Sequence, residues 1–261
     1  MKKYEFTGET KTFLGRELRR IKALASFSDV AAGEIGGWIE NESNLSQTGD
    51  AWVYGNARVY GNARVYGNAR VFGKARVYGD ALVYDNAWVF GNAQVYGNAQ
   101  VYGNAQVYGN AQVYGNALVC GNAQVYGNAQ VYGNALVCGN AQVYGDARVY
   151  GDARVYGDAR VCGDAQVCGD AQVFGNARVY GDAQVYGDAQ VFWVSKIGSR
   201  LGTTTFFKSK LGVEVSCGCF SGTLEQFEAK VNETHGNDKY GEEYRLAIEL
   251  AKLRLIGGGN E

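Results

Sequence analysis

The chain contains no proline and only one histidine among its 261 residues. Without proline, every residue of a strand can donate its backbone N–H to a neighbouring strand, which suits stacked β-strands. The single histidine, His235, leaves Cys217 and Cys219 without the companion Cys or His pair that a zinc site requires. We therefore expect no metal site and no cofactor.

Long apolar runs and a strong excess of one charge are also missing. No stretch approaches the ~20 apolar residues of a transmembrane helix, and no secretory signal precedes Tyr4. The 25 basic and 26 acidic side chains nearly cancel, so no overall field attracts nucleic acid or an acidic membrane. The six cysteines form no disulfide framework. These features predict a protein of a reducing cytoplasm, without membrane association.

The sequence is dominated by a six-residue repeat, Ala-x-Val-aromatic-Gly-Asn/Asp, which occurs 24 times over residues 51–192. The aromatic position holds 16 Tyr, four Phe and four Cys, and the x position holds 11 Gln, eight Arg, three Leu and two Trp. On a strand, Ala and Val face one side, while the x and aromatic residues face the other. Because Gln and Arg cannot line a dry interior, the pattern predicts that Ala and Val point inward.

Strands this short gain stability only by stacking on one another, so the repeat predicts a solenoid. Glycine followed by Asn or Asp tolerates the φ > 0 of a sharp corner between strands. Unusual residues recur 18 positions apart, as in Phe72 and Phe90, Leu118 and Leu136, and Cys120 and Cys138. Three strands per coil would align each pair, which predicts eight coils and a prism about 38 Å long. Cys120 and Cys138 would then stack within reach of a disulfide, although we favour two free thiols.

The run Val59-Tyr60-Gly61-Asn62-Ala63-Arg64-Val65 resembles the hexapeptide repeat of left-handed parallel β-helices. The resemblance covers residues 51–192 and implies a left-handed, triangular all-β solenoid. Acyltransferases with this repeat typically use a His base, and loops that interrupt their coils help to bind the acyl donor. These coils contain neither feature, and His235 lies where a helix is predicted to end, a position that suits contact with the last carbonyls. We therefore predict that the protein is not an enzyme.

Residues 1–50 precede the repeat and are predicted to form an N-terminal β cap. Residues 3–7 and 18–25 are interpreted as strands. The lead-in, Asp29-Val30, Gly33-Glu34-Ile35-Gly36-Gly37-Trp38-Ile39-Glu40 and Asn44-Leu45-Ser46, resembles the start of phage and prophage β-solenoid proteins, some of them labelled polymer-forming. This resemblance implies a viral or mobile-element origin and a location in the cytoplasm of a bacterial host cell, and it leaves association with the virion open.

Residues 193–261 are predicted to form a small ββαα domain. Residues 203–207 and 213–217 are typical of a hairpin that turns at Leu211 and Gly212. Thr223 and Gln226 have the spacing of a capping box, which predicts a helix that ends near His235. A second helix is predicted over residues 239–255, with its apolar residues on one face.

Two surfaces of the repeat are candidate binding sites. No acid occurs between Ala51 and Gly79. This region carries what we call the basic belt, namely Arg58, Arg64, Arg70, Lys74 and Arg76, interleaved with Tyr60, Tyr66 and Tyr78. Cations that hold phosphates beside rings that stack on bases are typical of sites for anionic polymers or nucleic acid. The second surface is formed by the aromatic columns along each face, which either cover the backbone or offer a flat surface to a glycan.

The sequence thus predicts a non-enzymatic, phage-type β-solenoid that acts as a rigid structural or partner-binding scaffold. Its expected partners are another protein or further copies of itself. The alternative is a ligand-binding module, for an anionic polymer at the basic belt or for a glycan at the aromatic columns.

Overall fold

A computed structural model describes residues 2–181, 183–185, 191–209 and 212–256; Leu211 of the predicted turn and Ala189 of the last repeat lie outside these ranges. The chain begins with β1 (Tyr4–Phe13), β2 (Arg16–Ala23) and β3 (Ile35–Ile39), followed by a 3-10 turn (Glu42–Asn44). The strands β4 to β26 each consist of the x residue and the valine of one repeat. They are Trp52–Val53, Arg58–Val59, Arg64–Val65, Arg70–Val71, Arg76–Val77, Leu82–Val83, Trp88–Val89, Gln94–Val95, Gln100–Val101, Gln106–Val107, Gln112–Val113, Leu118–Val119, Gln124–Val125, Gln130–Val131, Leu136–Val137, Gln142–Val143, Arg148–Val149, Arg154–Val155, Arg160–Val161, Gln166–Val167, Gln172–Val173, Arg178–Val179 and Gln184–Val185.

The short strands stack in parallel, each on the strand one coil further along the chain. Gln106 pairs with Gln124, and Gln124 pairs with Gln142, so that the register advances by 18 residues per coil. The result is three sheets of 11, eight and seven strands, one for each side of a prism. The predicted β-solenoid with 18-residue coils is confirmed, and its left hand stays a prediction.

The core of the prism is made of the repeat alanines and valines. From Val53 to Val185 every repeat valine is 0% exposed, and no alanine from Ala51 to Ala183 exceeds 4%. The x and aromatic residues are mostly half-exposed. The predicted inside and outside of the repeat are therefore confirmed, and burial of this apolar shaft is the main favourable contribution to folding.

The N-terminal strands cover the first coil. β1 and β2 form an antiparallel hairpin, β2 also pairs with β3, and β3 pairs in parallel with β5. Trp52 occupies an x position, which is predicted to face solvent, yet it is fully buried. The rings of Tyr4 and Phe27 pack edge-on against it, with centroid distances of 6.1 and 5.4 Å. The repeat pattern does not show this burial, because both covering residues come from outside the repeat.

The C-terminal unit contains a four-stranded antiparallel sheet and two helices. Its strands are β27 (Val191–Ile197), β28 (Gly202–Ser209), β29 (Gly212–Cys217) and β30 (Phe220–Thr223), and its helices are α1 (Leu224–His235) and α2 (Lys239–Leu255). The predicted hairpin and both helices are confirmed, while β27 and β30 are additional. In the capping box of α1, Thr223 Oγ1 accepts from Gln226 N at 3.3 Å and Gln226 Oε1 accepts from Thr223 N at 2.9 Å.

This unit packs against the last coils of the prism. Phe207 of β28 belongs to the same buried cluster as the repeat valines, and Trp193 of β27 packs against that cluster. The backbone N–H of Arg178 donates to Thr205 Oγ1 at 3.0 Å. The C-terminal unit therefore covers the apolar end of the solenoid while keeping a core of its own, which includes Phe227 and Ile248.

Candidate functional site

The aromatic residues on each side of the prism form stacks along its axis. The rings of Tyr96 and Tyr114, for example, have centroids 4.8 Å apart and planes within 3° of parallel. Burial, together with the two neighbouring tyrosines, raises the pKa of Tyr96 to about 12, so its hydroxyl stays neutral and donates to Gln112 Oε1 at 3.2 Å. Where rings follow one another, each ring face is covered by the next ring, whereas a glycan stacks on an exposed face. The columns therefore support the structural interpretation better than the glycan interpretation.

The structure distributes the basic belt over all three sides of the prism. Arg58 and Arg76 are register partners on one side. Arg70 pairs with Trp52 on the second side, and Arg64 pairs with Leu82 on the third. The five cations of the belt thus form no single groove.

Arg70 is engaged within the protein. Its guanidinium lies 2.9 Å from the carboxylate of Asp29 and donates to Ser28 Oγ at 3.0 Å. The hydroxyl of Tyr54 donates to the same carboxylate at 3.0 Å. Burial and this hydrogen bond raise the pKa of Tyr54, which keeps it a donor at neutral pH. These contacts fasten the loop after β2 to the first coils.

The side that carries Arg58 and Arg76 gains further cations from the β1–β2 hairpin. The guanidinium carbons of Arg58 and Arg76 lie 4.2 and 6.0 Å from the ring centroid of Phe13. Lys11 lies nearby, and burial, followed by the charges of Arg58 and Arg20, lowers its pKa to about 8. The hairpin thus adds Lys11 and Arg20 to this surface, together with Glu9, which lies 3.5 Å from Arg20. Neither cation could be assigned to the surface from the sequence, because the pattern of the repeat says nothing about where the hairpin folds.

A cleft of about 370 Å³ lies beside this surface, between the hairpin turn and the prism. Its lining includes Tyr60, Arg76 and Tyr78 of the predicted set. Arg64 and Tyr66 line a separate depression of about 320 Å³ beside the 3-10 turn. The structure therefore places Tyr60, Arg76 and Tyr78 in one cleft under the β1–β2 hairpin. It places Arg64 and Tyr66 in a different depression.

We expect that changing Arg58, Arg64, Arg70 and Arg76 together to Gln abolishes retention on a heparin column at low salt. Polyanion binding depends on the number of cations that contact phosphate or sulfate groups, so it falls as they are removed. Gln occupies the same position in other coils, which predicts that the coils survive, while the loop after β2 loses Arg70 and keeps the hydrogen bond from Tyr54 to Asp29. The matched control changes Arg148, Arg154, Arg160 and Arg178 to Gln and should keep its retention. Flow-through of the unmodified protein, or equal loss by the control, would contradict a polyanion site at the belt.

A second cleft, of about 450 Å³, lies in the C-terminal unit and was not predicted from the sequence. Phe220, Phe227 and Val231 contribute apolar surface to it, and Arg200 and Lys230 contribute positive charge. A mostly apolar cleft with a few polar groups is the usual form of a small-molecule site.

The polar lining of this C-terminal cleft includes His235, the one histidine of the chain. Its Nδ1 lies 3.4 Å from Asp238 Oδ2, and its ring centroid lies 5.7 Å from that of Tyr244. Cys217 Sγ accepts from Thr204 Oγ1 at 3.1 Å and donates to Tyr244 Oη at 3.7 Å. Burial and the hydrogen bond with Cys217 raise the pKa of Tyr244, so its hydroxyl stays neutral. The sequence shows these residue types, but it does not show that the β28–β29 hairpin lies beside the end of α1.

The described residues contain no helix that is long and apolar enough to cross a membrane.

Cys120 and Cys138 carry free thiols, as favoured from the sequence. Burial and the neighbouring Cys120 raise the pKa of the Cys138 thiol.

Comparison with known proteins connects this chain to a family of repeats. A family profile described as "YdcK Beta solenoid repeat" matches spans that together cover more than half of the chain. These spans are 51–65, 63–77, 75–91, 93–109, 99–113, 105–121, 111–127, 123–139, 129–145, 141–157, 153–169 and 171–187. A protein of Escherichia coli (strain K12) named "Uncharacterized acetyltransferase YdcK" is 40% identical to this chain over 62 residues. The match covers 21% of this chain and 19% of that protein, so the chain spans about a fifth of its length.

The prediction that the protein is not an enzyme is wrong in the light of this relative, which is named as an acetyltransferase. That prediction used the absence of histidine and of inserted loops from the coils. A solenoid can leave chemistry to residues outside its coils, so features of the coils alone do not exclude acyl transfer. The resemblance to hexapeptide-repeat solenoids is confirmed by the family match. The phage origin and virion association stay predictions that these comparisons do not support.

Proposed function

We propose that this chain, which belongs to the YdcK β-solenoid repeat family, is a rigid scaffold that holds its N-terminal hairpin and its C-terminal unit at a fixed distance and orientation for a partner protein. The observation that carries this proposal is the unbroken register of the coils. In the described part of the solenoid, the three sheets follow one another without an inserted loop. Binding and catalytic residues lie disproportionately on loops, so coils without inserted loops favour a structural role for the coils themselves.

Side-chain ladders at the corners support the rigidity of the prism. Asn110 Nδ2 donates to Asn128 Oδ1 at 3.0 Å, and Asn128 Nδ2 donates to Asp146 Oδ1 at 2.9 Å. Together with the ring stacks, these ladders connect successive coils outside the core in the part of the rod between Asn62 and Asp158. Each repeat contacts only its neighbours, so these bonds restrain one coil relative to the next.

Two deletions test whether the rod sets the relative orientation of its two ends. Removing residues 99–104 takes out one repeat and rotates the C-terminal unit about the rod axis by a third of a turn relative to the β1–β2 hairpin. Removing residues 99–116 takes out one whole coil, which restores the original orientation and shortens the rod by only ~4.8 Å. We expect both variants to fold, because each remaining repeat keeps the same kind of neighbours.

The measurement is affinity capture from a bacterial lysate, followed by quantification of the proteins retained by the full chain. A partner that contacts both ends should be retained by the 18-residue deletion and lost from the six-residue deletion. Equal retention by both variants would indicate a plain spacer. Capture of nothing above a tag-only control would contradict the scaffold proposal.

Acetyl transfer is a second candidate function, favoured by the name of the Escherichia coli relative. In this chain the C-terminal cleft is the best location for it, because the cleft contains His235. His235 would accept the proton of the acceptor's amine or hydroxyl as that group attacks a thioester carbonyl. The thiolate of the donor would leave and take up a proton.

We expect a His235→Gln variant to lower any acetyl transfer by 10²-fold or more, the usual contribution of a general base. The assay follows the conversion of acetyl-coenzyme A to coenzyme A by chromatography, with a bacterial small-molecule extract as the source of acceptors. An Asn237→Gln variant, changed two residues away, serves as the control. Unaltered turnover in His235→Gln would contradict this role for the cleft.

A further inference from the structure

Helix α2 has apolar residues on two faces. The first face, with Ala247, Ile248, Ala251 and Leu255, is buried in the core of the C-terminal unit. The second face carries an exposed line of leucines, Leu246, Leu250 and Leu253, which are 67%, 38% and 70% exposed. Their spacing of four and three residues places them along one side of the helix. We call these three residues the leucine stripe.

The leucine stripe is continued by Ile256, which is 60% exposed. Three of the ten large hydrophobic residues that are exposed in the described chain therefore lie on α2, and a fourth directly follows its last residue. Single exposed leucines are common, but a contiguous apolar line on a helix marks a surface that is covered by something else. Core packing of the C-terminal unit does not need this line, because the opposite face of α2 already supplies the contacts.

The charges beside the leucine stripe indicate what kind of surface covers it. At 100° per residue, Glu243 and Arg254 lie on the same flank of the stripe, Glu243 near its start and Arg254 near its end. Lys252, the other cation at that end, is engaged with Glu228 at 3.2 Å and Glu249 at 3.0 Å. Glu243 accepts a hydrogen bond from the backbone N–H of Gly198 at 2.8 Å, and the guanidinium carbon of Arg254 lies 5.1 Å from the ring centroid of Phe192. Neither has an ion-pair partner among the described residues, so the flank presents a negative charge at one end and a positive charge at the other.

A helix with this pattern is complementary to a second copy of itself in the antiparallel direction. In that arrangement Glu243 of each chain approaches Arg254 of the other, and the two leucine stripes face each other. In a parallel two-fold arrangement, opposite flanks of the two helices would meet, so Glu243 would approach the acidic flank that carries Glu242 and would not reach Arg254. The same patch then serves both partners, which is the requirement for a two-fold symmetric interface.

We propose that the leucine stripe of α2 is a self-association surface, on which the α2 helix of a second copy of this chain docks in the antiparallel direction. The proposal goes beyond the scaffold function, since it joins two solenoids through their C-terminal units. It leaves the N-terminal hairpins of both copies available to partners. Acidic Glu242, Glu243 and Glu249 near the stripe make an anionic membrane surface a poor alternative occupant.

Sedimentation velocity of the full chain tests the proposal at concentrations from roughly 1 to 200 μM, where small interfaces associate. We expect a dimer that dissociates on dilution. The triple variant Leu246→Gln, Leu250→Gln and Leu253→Gln should remain monomeric over the whole range. Leu14→Gln, which changes an equally exposed leucine at the hairpin turn, should dimerise like the unmodified chain. A monomeric unmodified chain, or a triple variant that still forms the dimer, would overturn the proposal.

A charge exchange tests the antiparallel direction with the leucine stripe intact. We expect Arg254→Glu alone to raise the dissociation constant at least tenfold, because two pairs of like charge then meet across the interface. Adding Glu243→Lys should restore most of the lost affinity. Thermal unfolding followed by circular dichroism checks that each variant is folded. A double variant that stays as weak as the single one would rule out the antiparallel pairing.

Discussion

Replacing Val125 with Asp is expected to destabilise the solenoid by about 4 kcal/mol or more and to reduce soluble expression sharply. Val125 is 0% exposed and lies between Val107 and Val143 of the adjoining coils. The shaft around it is formed by alanine and valine side chains, which offer a carboxylate neither a hydrogen bond nor a positive charge. The carboxyl group would have to be buried unpaired or take up a proton at a raised pKa.

The neighbouring substitution Gln124→Ala is the matched control for Val125→Asp. Gln124 belongs to the same short strand but faces outward and is half-exposed. Surface changes of this kind usually alter the free energy of unfolding by less than about 0.5 kcal/mol. The measurement is the urea midpoint of each variant, together with its soluble yield. Equal tolerance of both changes would contradict the assignment of inside and outside on which the fold depends.

Replacing Gly109 with Ala is expected to cost about 2 kcal/mol or more, the second largest effect. Gly109 has φ +71°, in the left-handed region that disfavours residues with a Cβ. An added Cβ would also lie 3.0 Å from the backbone N and O of Gly127 in the next coil. Because that neighbour is backbone held in a ladder, the coils would have to separate locally.

Gly55→Ala separates these two contributions. Gly55 has φ +55°, so it carries a similar conformational penalty, but an added Cβ there meets no atom within 4 Å. We expect Gly55→Ala to cost about 1 kcal/mol, as the left-handed conformation alone requires, and Gly109→Ala clearly more. Denaturant unfolding of both variants provides the comparison. If the two costs are equal, the close approach of successive coils is not what requires glycine at these corners.

Asp85 shows how the chain accommodates a corner without glycine. It adopts φ 56° where the repeat otherwise has Gly, and its carboxylate accepts from the backbone N–H of Gly103 at 3.2 Å. Aspartate is among the residues that tolerate this region best. What this corner requires is therefore the left-handed backbone conformation, and the hydrogen bond from Gly103 to the Asp85 carboxylate offsets part of its strain.

The sequence by itself determined the architecture of the solenoid. A strict period of six with alanine and valine two apart leaves one inward face, and unusual residues 18 apart, such as Cys120 and Cys138, indicate three strands per coil. The capping box of Thr223 and Gln226 is equally local and equally readable. These features are predictable because each depends on residues that are close in sequence or identical from coil to coil.

Only the tertiary structure decided what lies against the rod. Trp52 is buried although its position in the repeat faces outward, because Tyr4 and Phe27 fold over it. The candidate sites depend on the same kind of contact, since the hairpin brings Lys11 to the belt and α1 brings His235 to the cleft beside Cys217. These segments lie outside the repeat, so no period relates them to the coils. Their positions follow from packing between distant parts of the chain, which a one-dimensional pattern does not contain.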